Sequence, residues 1–348
     1  MTLVAIIDPQ FEDFPDIESE VAGGAAEFRV LRPGQDPVSP ADLAGVDAII
    51  NCRSRHKLPG DLIRALDPSV RIVTQAGVGF NHIDIAACAE RGIPVCNTPD
   101  YGTAEVADHA IGLMLSLVRG IPTYDGQLAS DGAAWNTAGL PLPPVRRLRG
   151  LVFGVVGLGR IGLATALRAK AFGLDVHFHD PYLPAGAELS VGFTRHATLD
   201  SLLGVADVLT LHCPLTEDTD RLIRAETLAR MKSDSILINT SRGGVVDLDA
   251  VGQALADNQI CAAALDVLPV EPPNRDHPLL AAWIARAPEI RGRLVITPHA
   301  AFYSPESIRD MRRLSMTAVW DYLTEGRLRA CVNGHQLAMA AHPEGVPA

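Results

Sequence analysis

A short apolar run, Leu151 to Val156, leads directly into Gly157, Leu158, Gly159, Arg160, Ile161 and Gly162, and a stretch rich in Ala, Leu, Arg and Lys follows to Phe172. Strand, glycine turn and helix in that order constrain the fold more than any other feature of the chain, because each glycine answers a separate steric demand. The first permits the tight turn, the second lets backbone approach a pyrophosphate, and the third lets helix pack closely on strand. The N-terminus of the helix expected from Leu163 to Phe172 then offers free N–H groups to phosphate oxygens, with Arg160 and Ile161 in the turn as cofactor-binding candidates. A second strand-like run, Asp175 to His179, ends at Asp180, 18 residues past Gly162. A carboxylate there can accept hydrogen bonds from an adenosine ribose and repels a 2′-phosphate, which points to NAD rather than NADP.

At 348 residues the chain exceeds what one hydrophobic core usually supports, so two domains are expected. The 47% hydrophobic content, with only 5% aromatic, suits an α/β protein built on Ala, Val and Leu. A net charge of −11 repels the phosphate backbone that a nucleic-acid binder must neutralise, so direct nucleic-acid contact is not expected. Six cysteines, at 52, 88, 96, 213, 261 and 331, show no metal-ligand spacing and fit reduced thiols in a cytoplasm. The N-terminal residues read as a first strand rather than a secretory leader. No stretch approaches the roughly 20 apolar residues of a membrane span.

Apolar runs alternate with helical stretches from the start: Leu3 to Ile7, Phe28 to Leu31, Ala48 to Asn51, Ile72 to Thr74 and Ile93 to Cys96 read as strands with parallel, crossover pairing. Asp84 is placed to cap a helix through Ala89 that stops at Gly92. Thr103 to Val118 reads as a long buried helix leaving the first domain, followed by a looser Gly- and Pro-containing stretch to Pro144. Six further strands are expected at 152–156, 174–179, 207–212, 235–239, 262–266 and 294–297. A fingerprint in mid-chain leaves the first domain to supply the substrate side. A helix from Pro305 to Tyr322 is expected to return to it. The expected boundaries are 1–101, 102–301 and 302–348: a doubly wound parallel-sheet dinucleotide domain inserted into a smaller flavodoxin-like substrate domain, both Rossmann-like.

Polar groups stand where apolar strands finish. Asn239, Thr240, Ser241 and Arg242 follow Ile236 to Ile238; Asp266 to Glu271 follow Ala262 to Leu265; Thr297, Pro298 and His299 follow Leu294 to Ile296. Strand carboxyl ends of such a sheet face the ligand crevice. Moving a hydride between a nicotinamide and a 2-keto acid needs a cation for the carboxylate and a proton donor for the developing alkoxide. The planar fork of Arg242 suits the first task. His299 suits the second, since imidazole titrates near neutrality, and Glu271 would hold its far nitrogen and favour its cation. Each also has a plain reading: Arg242 as a loop brace, Glu271 as a solvated charge beside prolines, His299 as a satisfied core residue.

Gly77, Val78, Gly79, Phe80, Asn81 and His82 follow the strand at 72–74, and the N–H groups around Val78 and Gly79 could cradle the substrate carboxylate. Arg53, Arg55 and His56, with Lys57, could meet a distal carboxylate or phosphate, or form a solvated basic turn.

The motifs GVGFNHID, VGLGRIG, NTSRGG, DVLPVEPP and TPHAA, in that order between Asp47 and Asn333, resemble the D-isomer-specific 2-hydroxyacid dehydrogenase family. The resemblance implies an NAD-linked reduction of a small 2-keto acid, or its reverse from a 2-hydroxy acid, by Arg242, Glu271 and His299. It also implies a homodimer and a substrate domain made from both chain ends. It further assigns Asp266 to the nicotinamide carboxamide, Thr240 and Ser241 to the nicotinamide side, and Cys213 and Pro214 to the adenosine side. In motif detail the chain is most similar to the C-terminal-binding proteins, NAD-sensing corepressors, which implies an alternative role as an NADH-regulated binding protein. Phe302 stands where that subgroup carries tryptophan, and the 28-residue step from Glu271 to His299 carries an apparent insertion from Ala281 to Gly292, expected as a short helix at the site's edge. Formate dehydrogenases of the same fold have glutamine at the position of Glu271, so the acid points to a hydroxyacid enzyme.

Overall fold

The computed structural model describes residues 1–34, 36–130, 135 and 145–341. The chain divides into two compact units: Met1–Gly102 with Tyr303–Ala348, and Thr103–Phe302. Each expected boundary lies one residue before the observed one.

Unit 1 is built on β1 (Thr2–Ile7), β2 (Ala26–Leu31), β3 (Ala48–Asn51), β4 (Ile72–Gln75) and β5 (Val95–Cys96), ordered β2-β1-β3-β4-β5 and parallel throughout. This is the flavodoxin-like order. Strand periodicity explains why both faces are covered: Ala5 and Ile7 of β1 join a cluster with Ile49 and Val73, while Val4 and Ile6 join one with Ile50, Met311 and Val319. The second face is closed by the helix Pro305–Glu325, which starts at the Ser304 cap and stops at Gly326 in the left-handed conformation. The C-terminal return is therefore part of this unit's core. Asp84 caps the helix Ile85–Glu90 by accepting the Ala87 N–H at 2.9 Å.

Among its described residues unit 2 carries seven parallel strands, ordered β12-β11-β10-β9-β6-β7-β8. These are β6 (Val152–Val156), β7 (Asp175–His179), β8 (Thr194–Arg195), β9 (Val208–Leu211), β10 (Ile236–Asn239), β11 (Ala262–Leu265) and β12 (Leu294–Ile296). The sequence reading missed the two-residue edge strand β8, which is too short to show a pattern. Strand order reverses between β6 and β9, and ligands of open α/β sheets bind at such a switch point, outside the carboxyl ends. Gly154 of β6 lets the turn before β9 approach closely, since a Cβ there would lie 2.9 Å from that of Ala206. The helix Thr103–Val118 is buried along one face, at Val106, Ala110, Leu113, Met114 and Leu117. A helix at Ile121–Ser130 opens the stretch expected to be loose; most of the remainder to Pro144 lies outside the described residues. The short helix Pro278–Ile284, which buries Leu279 and Leu280, overlaps the apparent insertion only at 281–284, and 285–292 form turns in place of the expected helix.

Candidate active site

The cofactor side begins at the glycine turn. Gly157 has φ 86°, and a Cβ there would stand 3.0 Å from the Cys213 backbone nitrogen. A Cβ on Gly162 would stand 2.0 Å from the Gly157 carbonyl oxygen. Gly159, by contrast, has open space where a side chain would point, and it precedes the helix Arg160–Ala171 with no side-chain cap on the helix N-terminus. Two glycines are thus demanded by close packing and the middle one by an approach surface, which is the division of labour a pyrophosphate requires.

Asp180, at the end of β7, accepts the N–H of Leu158 and of Tyr182, each at 2.9 Å. It therefore ties the fingerprint turn to the neighbouring strand, a role the sequence spacing does not reveal. Cys213 is buried, and burial pushes its thiol up to about 11, so its contribution is packing beneath the turn rather than thiolate chemistry. The Pro214 carbonyl accepts from Thr219 Oγ1 at 2.6 Å.

At the end of β10, Asn239 organises the loop. Its Oδ1 accepts the N–H and Oγ of Ser241 at 3.0 and 2.8 Å, and its Nδ2 donates to the Arg242 carbonyl at 2.9 Å. Thr240 is 7% exposed, and its buried Oγ1 has no partner among the described residues. A buried hydroxyl without a partner costs free energy unless a ligand satisfies it. Together with the cradle at Gly157 to Gly162, this orphan at the carboxyl end of β10 is consistent in chemistry with residues that hold a dinucleotide. The Arg242 guanidinium donates through Nη1 to the Ser241 carbonyl at 2.6 Å.

Glu271 and His299 meet directly: Oε2 accepts from Nδ1 at 2.7 Å, while Oε1 accepts the Leu268 N–H at 2.9 Å. Burial pushes the Glu271 carboxyl up, but the His299 hydrogen bond and charge, the Leu268 N–H and the Arg242 charge outweigh it and hold the carboxyl below its usual range. An ionised carboxylate only accepts, so Nδ1 must carry a hydrogen and Nε2 is the ring atom left for substrate. Phe302 stands edge-on to the imidazole, with ring centroids 6.0 Å apart and planes at 85°.

The histidine itself has φ 53°, in the left-handed region. Its N–H donates to the Asp266 carbonyl at 2.8 Å, and the Asp266 carboxylate accepts from Ala300 N, Ala301 N and Thr297 Oγ1 at 2.9, 3.0 and 2.6 Å. Asp266 is 2% exposed, and its carboxylate ties down the loop that carries His299. Thr297 has given its one hydrogen to Asp266, so His109 Nε2, 3.0 Å from Thr297 Oγ1, is the donor there. Sequence reading missed Asn239, Thr297 and His109 in these supporting roles. A polar residue at the tip of an apolar strand was the available signal for the first two; His109, inside an apolar helix, gave none.

In unit 1, Gly77 has φ 153° and Asn97 Nδ2 holds the Val78 carbonyl at 2.8 Å. Among the described residues no backbone carbonyl takes the N–H of Val78 or Gly79. The basic turn is partly neutralised: Asp8 Oδ2 lies 2.6 Å from Arg55 Nη2 and 3.1 Å from His56 Nε2, and His56 is buried. Arg53 and Lys57 are exposed and form no ion pair among the described residues.

Residues 111–301 match the family described as D-isomer specific 2-hydroxyacid dehydrogenase, NAD binding domain. A D-3-phosphoglycerate dehydrogenase of Methanocaldococcus jannaschii is 36% identical over 80% of this chain and 51% of its own length. Its namesake in Bacillus subtilis is 38% identical over 69% of this chain and 45% of its own. The chain thus spans about half the length of these curated relatives. Among solved structures, an NADPH-dependent glyoxylate/hydroxypyruvate reductase of Sinorhizobium meliloti, with NADP and malonate, is 31% identical with a TM-score of 0.80, covering 97% of this chain and 98% of that one. A D-lactate dehydrogenase of Aquifex aeolicus, with NAD and lactic acid, is 26% identical with a TM-score of 0.78, covering 95% and 99%. These relatives carry dehydrogenase and reductase names, and none of the four supports the finer likeness to the corepressor subgroup. No helix among the described residues is long and apolar enough to cross a membrane.

Proposed function

The chain belongs to the D-isomer-specific 2-hydroxyacid dehydrogenase family, and from that premise we propose that it reduces a small 2-keto acid to the D-2-hydroxy acid with NADH, or runs the reverse. The observation that carries the reading is the 2.7 Å contact between Glu271 and His299, with Arg242 near enough to act on the same carboxylate. Gly157, Gly159, Arg160, Ile161 and Gly162 would hold the pyrophosphate, Asp180 the adenosine ribose, and Thr240 and Ser241 the nicotinamide side. When bound, the nicotinamide supplies the hydride that reduces the keto carbon.

This chain's residues do the rest. Arg242 takes the substrate carboxylate and fixes the keto carbon in place. His299 Nε2 donates a proton to the carbonyl oxygen as it gains negative charge, which balances the added hydride. Glu271 keeps Nδ1 protonated and pointed away, so that Nε2 remains the donor. Val78 and Gly79 are assigned to the substrate carboxylate, and Asp180 to a preference for NADH. A homodimer belongs to the same reading, checked by light scattering.

A screen of NADH oxidation against glyoxylate, pyruvate, hydroxypyruvate and longer 2-keto acids tests the proposal. Turnover of at least one supports it, and none across the series rejects it. A phosphorylated substrate is a second reading, favoured by the exposed cations Arg53 and Lys57 and by the names of the curated relatives. Oxidation of 3-phosphoglycerate in preference to unphosphorylated hydroxy acids, weakened in Arg53→Ala, selects it.

A further inference from the structure

Two thiols of unit 1, Cys96 and Cys331, to which the proposed reaction gives no part, face one another across an antiparallel contact. β5 is an edge of its sheet, and residues 330–332, arriving after the long C-terminal helix, cover that edge. Val332 N donates to the Val95 carbonyl at 2.8 Å, and Asn97 N donates to the Ala330 carbonyl at 3.2 Å. These two bonds bracket Cys96 and Cys331, which makes them a directly opposed, non-hydrogen-bonded pair. Cα atoms in such a pair lie about 4.5 Å apart with side chains close together, inside the roughly 4.4–6.8 Å that a disulfide spans. Cys331 Sγ lies 3.4 Å from Asn333 Oδ1, the same atom that accepts the Val95 N–H beside Cys96.

The register is held firmly. Asn333, fully buried, accepts the Val95 N–H at 2.8 Å and donates to the carbonyls of Ile93 and Ile85 at 3.0 and 3.3 Å. The two sulfurs are also unequal. Contact with Cys331 and burial push the Cys96 thiol up, whereas the hydrogen bond from Cys96 pulls the half-buried Cys331 down. Cys96 is fully buried and Cys331 only partly, so Cys331 is the sulfur that a hydroperoxide reaches, with a resolving thiol beside it.

We infer that Cys96 and Cys331 form a redox-active dithiol that hydroperoxides convert to a disulfide, latching the C-terminal return segment to β5. The Cys331 thiolate attacks the terminal oxygen of the hydroperoxide and becomes a sulfenic acid, and the O–O bond breaks to release an alcohol, or water from hydrogen peroxide. Cys96 sulfur then attacks the sulfenic sulfur; its thiol proton leaves with the hydroxyl as water. Two thiols and one hydroperoxide give one disulfide, one alcohol and one water, and a dithiol reductant reverses the change by exchange.

The test treats the full chain with a small molar excess of hydrogen peroxide, blocks remaining thiols with iodoacetamide and maps peptides without reduction. The expected result is a Cys96–Cys331 cross-linked peptide, absent from Cys96→Ser and Cys331→Ser, and a higher thermal midpoint that dithiothreitol returns to the starting value. In Cys96→Ser, Cys331 should instead be trapped as a sulfenic acid or its overoxidised products. Peroxide-treated wild-type protein in which both cysteines are still alkylated, or in which Cys331 is sulfinic while Cys96 is free, overturns the inference. A cross-linked protein with an unchanged midpoint overturns the latch. None of these readouts depends on dehydrogenase turnover.

Discussion

Replacing Glu271 with glutamine keeps the shape and removes the charge. The carboxylate serves two donors at once, His299 Nδ1 at 2.7 Å and Leu268 N at 2.9 Å. Glutamine has one acceptor oxygen and an NH2 group, so one of those donors must face another donor. If the oxygen stays on Leu268, the imidazole meets an NH2 and either turns away or becomes a neutral ring with its hydrogen on Nε2, and the imidazolium that gives up the proton loses its support. A hydrogen bond to a charged group contributes about 1.5–3 kcal/mol. The Glu271 side chain is 33% exposed, so water replaces part of the loss and the lower figure applies. About 1.5 kcal/mol corresponds to roughly tenfold in kcat/KM. The assay is NADH-dependent reduction of a responsive 2-keto acid at fixed pH, with NADH affinity measured separately by fluorescence. Glu271→Gln should lose roughly tenfold in kcat/KM with NADH affinity within about twofold of wild type. A kcat/KM within about twofold of wild type would refute the positioning argument.

Gly162→Ala places a Cβ where the Gly157 carbonyl oxygen is 2.0 Å away, so the turn must open; titration with NADH should show at least about a tenfold loss of affinity, and wild-type affinity would contradict the assigned role. Asp180→Ala should lower the ratio of NADH to NADPH efficiency by about tenfold or more, and an unchanged ratio removes the discriminator. Burial pushes the Asp207 carboxyl up, but the Val152 N–H, Lys232 and Arg146 outweigh it and hold it below its usual range. Its stabilisation is therefore complete at neutral pH and lost as pH falls through the lowered folded-state value. Thermal midpoints of wild type and Asp207→Asn should differ at neutral pH and converge in acid; a gap that does not depend on pH would contradict this.

The fold was legible where local chemistry is unambiguous. The glycine turn, the Asp84 cap and the strand tips at Asn239, Leu265 and Ile296 follow from runs of apolar residues punctuated by Gly, Pro and Asp, and the tips gather because β10, β11 and β12 are adjacent parallel strands. What stayed hidden depends on contacts distant in sequence. Asp266 accepts from Thr297, Ala300 and Ala301, an arrangement fixed only once β11 and β12 lie side by side. His109 looks like any residue of an apolar helix until it meets Thr297. Arg55 read as a free cation because its partner Asp8 lies at the end of a different strand.

The central claim is that the Nε2 atom of His299 delivers the substrate proton. Single-turnover reduction of a 2-keto acid by His299→Ala, measured beside NADH affinity in the same preparation, tests it most directly. The account predicts a rate lower by about 10²–10⁴-fold with NADH affinity within about threefold of wild type. A variant that reduces the keto acid at the wild-type rate would contradict it.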